Sequence, residues 1–431
     1  MEERCRRLYE IGHISLHRIL KMKISLDTLN SIVAKVAAAT GKEDLMKVQF
    51  QVTKNKEQQP VNVVCFQSYG AGLQITQNYV YEGTAEPDAC YIVKSSQLQG
   101  IVKSYAALGV ESVNIEGTET QLIIRNGNGQ AGLSRAESMS QIDMREAQAD
   151  PLCAIVFSLK EMQAALKSVA YAVGASTDQT NGVQFCANES GYTLYATNSY
   201  VGAQSSVKAA FKPMTKEEFS KDFFVGGGFL KAINALKGEQ LSMMLTKKYL
   251  ILKDVEQTFA IVQLNEVKFP VSALTKVMVN DGAPLMAPES FVIEVNKEKL
   301  EAAIGLAEVL SSESVKTITL QKVEMGETTQ LVTGSKSNPQ AIDAKITAVG
   351  EGDSIMLQTT LLRGVLTNLS GNTVKIRVLN NMTLFYGEGQ VLCSAFLMGR
   401  APATQANAET KAEPKKADKK PKGETEKKAE A

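Results

Sequence analysis

The stretch "FFVGGGFLKAINALKG", residues 223–238, sets three consecutive glycines between an apolar segment and a helix-like run. A glycine turn at a helix N-terminus can hold a phosphate through free backbone N–H groups. The nucleotide motifs that do so need more, either a spaced G-x-G-x-x-G or a lysine followed by Ser/Thr at the end of the loop. Gly226, Gly227 and Gly228 come with neither. Histidine chemistry is restricted as well. Both histidines, His13 and His17, stand in the first 21 residues, and none lies between 22 and 400. That removes Ser-His-Asp and Cys-His nucleophiles and histidine metal sites from the body of the chain. His13 and His17 are spaced for one helical face but have no evident third ligand. The six cysteines (Cys5, Cys65, Cys90, Cys153, Cys186, Cys393) show no C-x-x-C spacing, so reduced and mostly buried thiols are expected. No catalytic residue, metal or cofactor is expected.

The 431 residues suffice for two to four domains, and 44% hydrophobic and 22% charged residues are ordinary for a soluble globular chain. The net charge of +1 is unevenly spread: segments 1–21 and 401–431 are each +2, which leaves 22–400 at about −3. A mildly acidic body argues against tight, stand-alone nucleic-acid binding and permits a local basic surface. The charged first 21 residues lack the apolar run of a signal peptide, and no segment has the length of a membrane span. A cytoplasmic protein is expected.

The glycine stretch belongs to a repeat. Val93, Val225 and Leu357 follow one another at intervals of 132 residues, and each is followed by two or three small residues. Leucine stands five positions on (Leu98, Leu230, Leu362), and a branched residue eight on (Ile101, Ile233, Val365). Two copies have Ser or Thr where the central one has Gly, which fits helix-cap chemistry and not phosphate binding. The glycines start a helix.

A second helix recurs upstream, with Ser25, Ser158 and Asn296 as its N-caps and Ser158–Glu161 as a capping box. Positions +4, +7, +8 and +11 from each cap are apolar: Leu29, Ile32, Val33, Val36; Met162, Ala165, Leu166, Val169; Leu300, Ala303, Ile304, Ala307. Each set is one buried stripe. Alternating patterns such as "GLQITQNYV", "YTLYATNSYV" and "MTLFYG" read as strands. The expected class is α+β, with three domains at 22–150, 151–285 and 286–400. Residues 1–21 read as an extension or a misassigned start. Residues 401–431, rich in Ala, Lys, Glu and Pro, read as a disordered tail.

This order and spacing, with several local matches, resembles the bacterial DNA polymerase III beta-subunit (sliding clamp) family over about 22–400. "MKI" (22–24) is similar to its usual start, "LYATNSY" (194–200) to its strand-to-turn segment, and "KFP" (268–270) to the end of its second domain. "LAEVLSSES" (306–314) and "AFLMGR" (395–400) match the third domain's first helix and the family's terminal stretch. Asn198-Ser199-Tyr200-Val201 departs from the usual Asp-Gly-His-Arg, and Met398 stands where proline is usual.

The resemblance implies a non-catalytic processivity factor. Two chains would join head to tail into a ring that encircles duplex DNA without reading its sequence. Its helices would line the hole, and it would tether a polymerase. The polymerase and clamp-loader subunits would bind through short peptides. Basic residues on the polar helix sides, Lys35, Lys103, Lys160, Lys167, Lys231 and Arg363, become the DNA-facing candidates, against the plain alternative of solvated faces. The peptide groove would be walled by Thr197, Tyr200, Val201, Pro270, Leu397, Met398 and Arg400. Val309 and Leu310 would lie in the dimer interface. Two other readings stay open: a phosphate-binding enzyme using Gly226–Gly228, and a phage, plasmid or paralogous clamp with other DNA-processing partners.

Overall fold

The computed structural model describes residues 20–55, 57–84, 89–127, 129–175, 179–278, 288–311, 314–325, 328–335, 338–350, 352–379, 381–387 and 394–399. His13, His17, Cys5, Cys393, Arg400 and the segment 401–431 lie outside these residues.

Three units of like order follow one another. The first runs β1 (Leu20–Ser25), α1 (Leu26–Ala37), β2 (Leu45–Lys54), β3 (Pro60–Gly70), β4 (Leu73–Tyr81), β5 (Gly83–Thr84), β6 (Cys90–Lys94), α2 (Ser95–Ala107), β7 (Ser112–Gly117), β8 (Gln121–Asn126) and β9 (Gly129–Ser134). A short helix α3 (Met144–Ala147) connects it to the second. There β10 (Pro151–Ser158), α4 (Leu159–Ala170), β11 (Gly182–Asn188), β12 (Gly191–Thr197), β13 (Val201–Lys208), β14 (Ala210–Pro213), β15 (Phe223–Gly226), α5 (Gly228–Ala235), β16 (Gln240–Thr246), β17 (Tyr249–Lys253) and β18 (Thr258–Gln263) repeat the pattern. After α6 (Val271–Val277) the third unit holds β19 (Glu289–Asn296), α7 (Lys297–Leu310), β20 (Thr317–Met325), β21 (Thr328–Ser335), β22 (Asn338–Ile342), β23 (Ala344–Ala348), β24 (Ser354–Gln358), α8 (Thr359–Asn368), β25 (Thr373–Leu379), β26 (Met382–Tyr386) and β27 (Ser394–Met398).

Cap chemistry starts the first helix of each unit. Ser25, Ser158 and Asn296 accept from the amides of Thr28, Glu161 and Lys299, supplying an acceptor that a helix start otherwise lacks. Their apolar stripes are buried, apart from a half-exposed Ala307. The second helices behave differently from expectation. Ser95 and Thr359 are the first helical residues and are fully buried, while the caps are Lys94 and Gln358, which make no side-chain cap bond. Other turns satisfy the first amides: Ser95 N–H donates to the Asp44 carbonyl at 2.8 Å and Thr359 N–H to that of Lys316 at 3.0 Å. The triple glycine does start α5, with Gly227 as its cap, but the helix begins one repeat position later than α2 and α8. Phe229 therefore enters the core, and Leu230 is left half-buried where its repeat equivalents Leu98 and Leu362 are buried.

Four antiparallel sheets result among the described residues, and two of them are shared between units. The orders are β5-β1-β7-β8-β9, β14-β10-β16-β17-β18-β4-β3-β2-β6, β15-β11-β12-β13-β27-β26-β25-β19-β23 and β22-β21-β20-β24. β18 joins the second unit to β4 of the first, and β27 joins the third to β13 of the second. The helices pack their stripes on these sheets around one continuous core. Two smaller clusters sit over the seams. Ile142, Ala147, Tyr249, Ile251 and Ile261 form one with the α3 segment, and Tyr195, Phe224, Phe269, Leu274, Met278, Leu379 and Leu384 form the other with α6.

Candidate functional site

The two seams are built alike, which makes their differences informative. Leu73 pairs with Val262 at the first seam and Val201 with Leu397 at the second, and all four are buried. One residue outward, the Gln263 amide donates to the Gly72 carbonyl at 2.8 Å, and the Met398 amide to the Tyr200 carbonyl at 2.8 Å. The first seam thus ends in a glycine beside a glutamine. At the second seam the same two places hold Tyr200, 66% exposed, and Met398, 40% exposed. Two large side chains are thus left in water side by side at the second seam, where the first has none.

The turn that presents Tyr200 is held by its own side chains. Asn198 Oδ1 accepts from the amides of Tyr200 at 3.1 Å and Val201 at 2.8 Å. Thr197, buried, donates its hydroxyl to the Val201 carbonyl at 2.9 Å and accepts from the Ser199 amide at 3.1 Å. Ser199 has a φ of 75°, a left-handed conformation that glycine adopts more readily. Exposed Pro270 caps α6, and its neighbour Phe269 is buried in the seam cluster with Met382 packed against it. Met382 is the cross-strand partner of Met398, so the cluster forms a floor reaching from Pro270 to Met398. Of the expected groove residues, Tyr200, Pro270 and Met398 are exposed, and Thr197, Val201 and Leu397 lie beneath them. Asn198 and the aromatic floor were not anticipated. The one signal for Asn198 was an Asx residue two and three positions ahead of the amides it binds.

The basic candidates separate into three groups. Lys103, Lys160, Lys167 and Lys231 are exposed, and none has an acidic partner among the described residues. Arg363 is exposed but ion-paired to Glu308 at 2.6 Å. Lys35 corrects the sequence reading: it is 8% exposed and forms an ion pair with Glu256 across the first seam. Its ammonium also reaches Gln77 Oε1 at 3.5 Å, and Lys237 approaches the same glutamate at 3.6 Å. Lys35 sits on the polar side of α1, as expected, but Glu256 of the neighbouring unit closes over it there. A neutralised, buried ammonium cannot face a ligand in solvent. The hydrogen bond from Lys35 holds the Glu256 carboxyl below its ordinary range.

At the free end of α7, Val309 is 80% and Leu310 48% exposed, with Leu306 at 39% on the same helix. Helix contact across the second seam shows what such a position does when covered. Tyr171, thirteen residues after the Ser158 cap, lies over Gly364 of α8, where an added Cβ would be 3.5 Å from its ring. Val309 is thirteen residues after the Asn296 cap, and Gly100 is the repeat equivalent of Gly364. Gly100 has no described neighbour within 4 Å of its Cβ position.

Thiol chemistry has little support. Cys65 and Cys153 are buried, Cys90 and Cys186 half-buried, and all four are free. Burial pushes Cys65 up to about 11 and Cys186 to about 12. Among the described residues, no group of three or more His, Cys, Asp or Glu could hold a metal, and no helix is long and apolar enough to cross a membrane.

No protein-family model matches the chain, and no curated protein matches it by sequence. Solved structures do match. The DNA polymerase sliding clamp from Bacillus subtilis is 18% identical with a TM-score of 0.69, over 89% of this chain and 99% of that one. The DNA polymerase III beta subunit from Thermotoga maritima is 12% identical with a TM-score of 0.72, over 90% and 100%. A sliding clamp from Pseudomonas aeruginosa bound to griselimycin is 14% identical with a TM-score of 0.70, over 89% and 99%. The fold is that of the bacterial sliding clamps.

Proposed function

We propose that this protein is a sliding clamp: two copies close a ring around duplex DNA and hold a DNA polymerase on its template. The observation that carries the reading is the state of the two strands that stand at seam positions without a seam. Each seam joins the last strand of one unit's first sheet to the last strand of the preceding unit's second sheet, as β18 to β4 and β27 to β13. The strands left at those places are β9 in the first unit and β22 in the third, and neither has a further partner among the described residues. A second copy turned head to tail offers β22 to β9 and β9 to β22, repeating the seam twice and leaving neither edge free. The same operation brings Val309 and Leu310 of one copy toward Gly100 of the other, as Tyr171 meets Gly364 within the chain. Burying the exposed parts of Val309 and Leu310 at each junction favours closure by about 2–4 kcal/mol before entropy is counted.

Catalysis has no part in this reading. A closed ring acts by topology, and a tethered polymerase returns to the primer end at high effective concentration. The exposed Tyr200 and Met398 are the place for a short apolar peptide from a polymerase or clamp loader, with Arg400 as its polar anchor. Phosphate contacts, free of base readout, allow sliding. Sedimentation in solution and a processivity assay on primed circular DNA test the proposal together. A dimer that lengthens the products supports it; a monomer that leaves them unchanged overturns it.

A further inference from the structure

The three units are not electrically equivalent where their helices are, and the repeat allows a position-by-position comparison. Two residues after the first-helix cap stand Asp27, Lys160 and Glu298 in the three units. Nine residues after it stand Ala34, Lys167 and Gly305. On the second helix, the aligned residues are Gln99, Lys231 and Arg363. Only the second unit is basic at all three places. We infer that this clamp holds duplex DNA mainly through Lys160, Lys167 and Lys231 of its second unit, and not evenly through the three units. The inference rests on the clamp reading above.

The surroundings sharpen the contrast. In the third unit every cation on the two helices is already committed. Arg363 lies over Gly305 and binds Glu308 at 2.6 Å, Lys299 binds Asp343 at 2.9 Å, and Lys297 donates to the Leu369 carbonyl at 2.9 Å. Exposed Glu298 adds a negative charge. In the first unit Lys35 is sequestered by Glu256, which leaves Lys103 as the one exposed cation on the two helices, and Asp27 on α1 is exposed. The three lysines of the second unit are exposed and unpaired among the described residues. Lys160 and Lys167 are seven residues apart on one face of α4, about 10 Å along its axis. A cavity of about 370 Å³ opens between α4 and α5, lined by Gln163, Lys167, Leu230 and Asn234, where a backbone phosphate can approach a cation and a side-chain amide.

Counterion release turns this into a measurement. An unpaired lysine that meets a phosphate contributes about 0.9 to the salt slope, and an arginine already neutralised by a glutamate contributes much less. The experiment follows anisotropy of a labelled duplex with the dimeric protein over a salt series, beside processivity on primed circular DNA. Lys160→Gln with Lys167→Gln and Lys231→Gln should lower the slope by about three for each subunit in contact and weaken binding at least about tenfold at low salt. Lys103→Gln with Arg363→Gln should change binding less than about threefold, and Glu308→Gln, which frees Arg363, should tighten it. Equal losses in the two sets, with wild-type processivity intact, would overturn the inference and spare the clamp reading. A wild-type dimer that fails to extend processivity would remove the reading itself.

Discussion

The amide of Met398 donates to the carbonyl of Tyr200 at 2.8 Å, fastening the third unit to the second at the point where both side chains stand in water. Because the bond is main chain to main chain, the side chains are free to serve another purpose. Tyr200→Ala with Met398→Ala should leave the seam folded and lower affinity for a labelled polymerase C-terminal peptide by more than tenfold, or about 1.4 kcal/mol. A titration showing wild-type affinity would place the peptide elsewhere.

Assembly can be tested from both sides of the open junction. Val309→Lys with Leu310→Lys puts charges on the apolar surface that the proposed dimer buries, at a cost of several kcal/mol. The expected product is a folded monomer, checked by sedimentation and far-ultraviolet circular dichroism. Gly100→Trp should do the same from the opposite face, since a Cβ added there meets no described neighbour within 4 Å in the single chain. Dimers that persist in both variants would move the interface.

The first seam should weaken in acid. Glu256 has its carboxyl held below the ordinary value of 4.5, chiefly by the hydrogen bond from Lys35, so the folded state favours the ionised form. A depressed folded value gives stability that is present above 4.5 and is lost as pH falls through the lowered value. Wild type and Glu256→Gln should therefore differ in thermal midpoint near neutrality and converge as pH falls from 4.5 through the lowered value. A gap that stays constant down to pH 3 would assign the difference to something other than this ionisation.

Strain at the presenting turn offers a smaller effect. Ser199 at a φ of 75° should be relieved by Ser199→Gly, with a gain below about 1 kcal/mol once the greater freedom of the unfolded glycine is counted. Denaturant unfolding measures it. A clear loss of stability would mean that the serine hydroxyl contributes more than the backbone strain costs.

The architecture was legible in residues with local consequences. Ser25, Ser158 and Asn296 act on amides three positions away, so their caps could be read from spacing alone. The second helices were less legible, because Ser95 and Thr359 start helices whose first amides are satisfied by Asp44 and Lys316 from distant turns. The fate of Lys35 was hidden for the same reason. Its position on α1 reads as polar surface, and only the approach of Glu256, 221 residues on, makes it interior. Glu308 likewise neutralises Arg363 from 55 residues away. Periodicity reports which side of a helix is polar; it does not report what covers that side.

Strand β27, which completes the second seam, is also the final strand described in the chain. During synthesis its partner β13 emerges roughly 190 residues earlier and must wait for it. A nascent chain that has finished only two units therefore carries an unmatched strand border beside Val201, of the kind that recruits another chain when concentration is high. Truncations that stop before residue 394 should accumulate as aggregates even though most of the core has been made, and the chain's soluble lifetime depends on how soon residues 394–398 emerge to pair with β13.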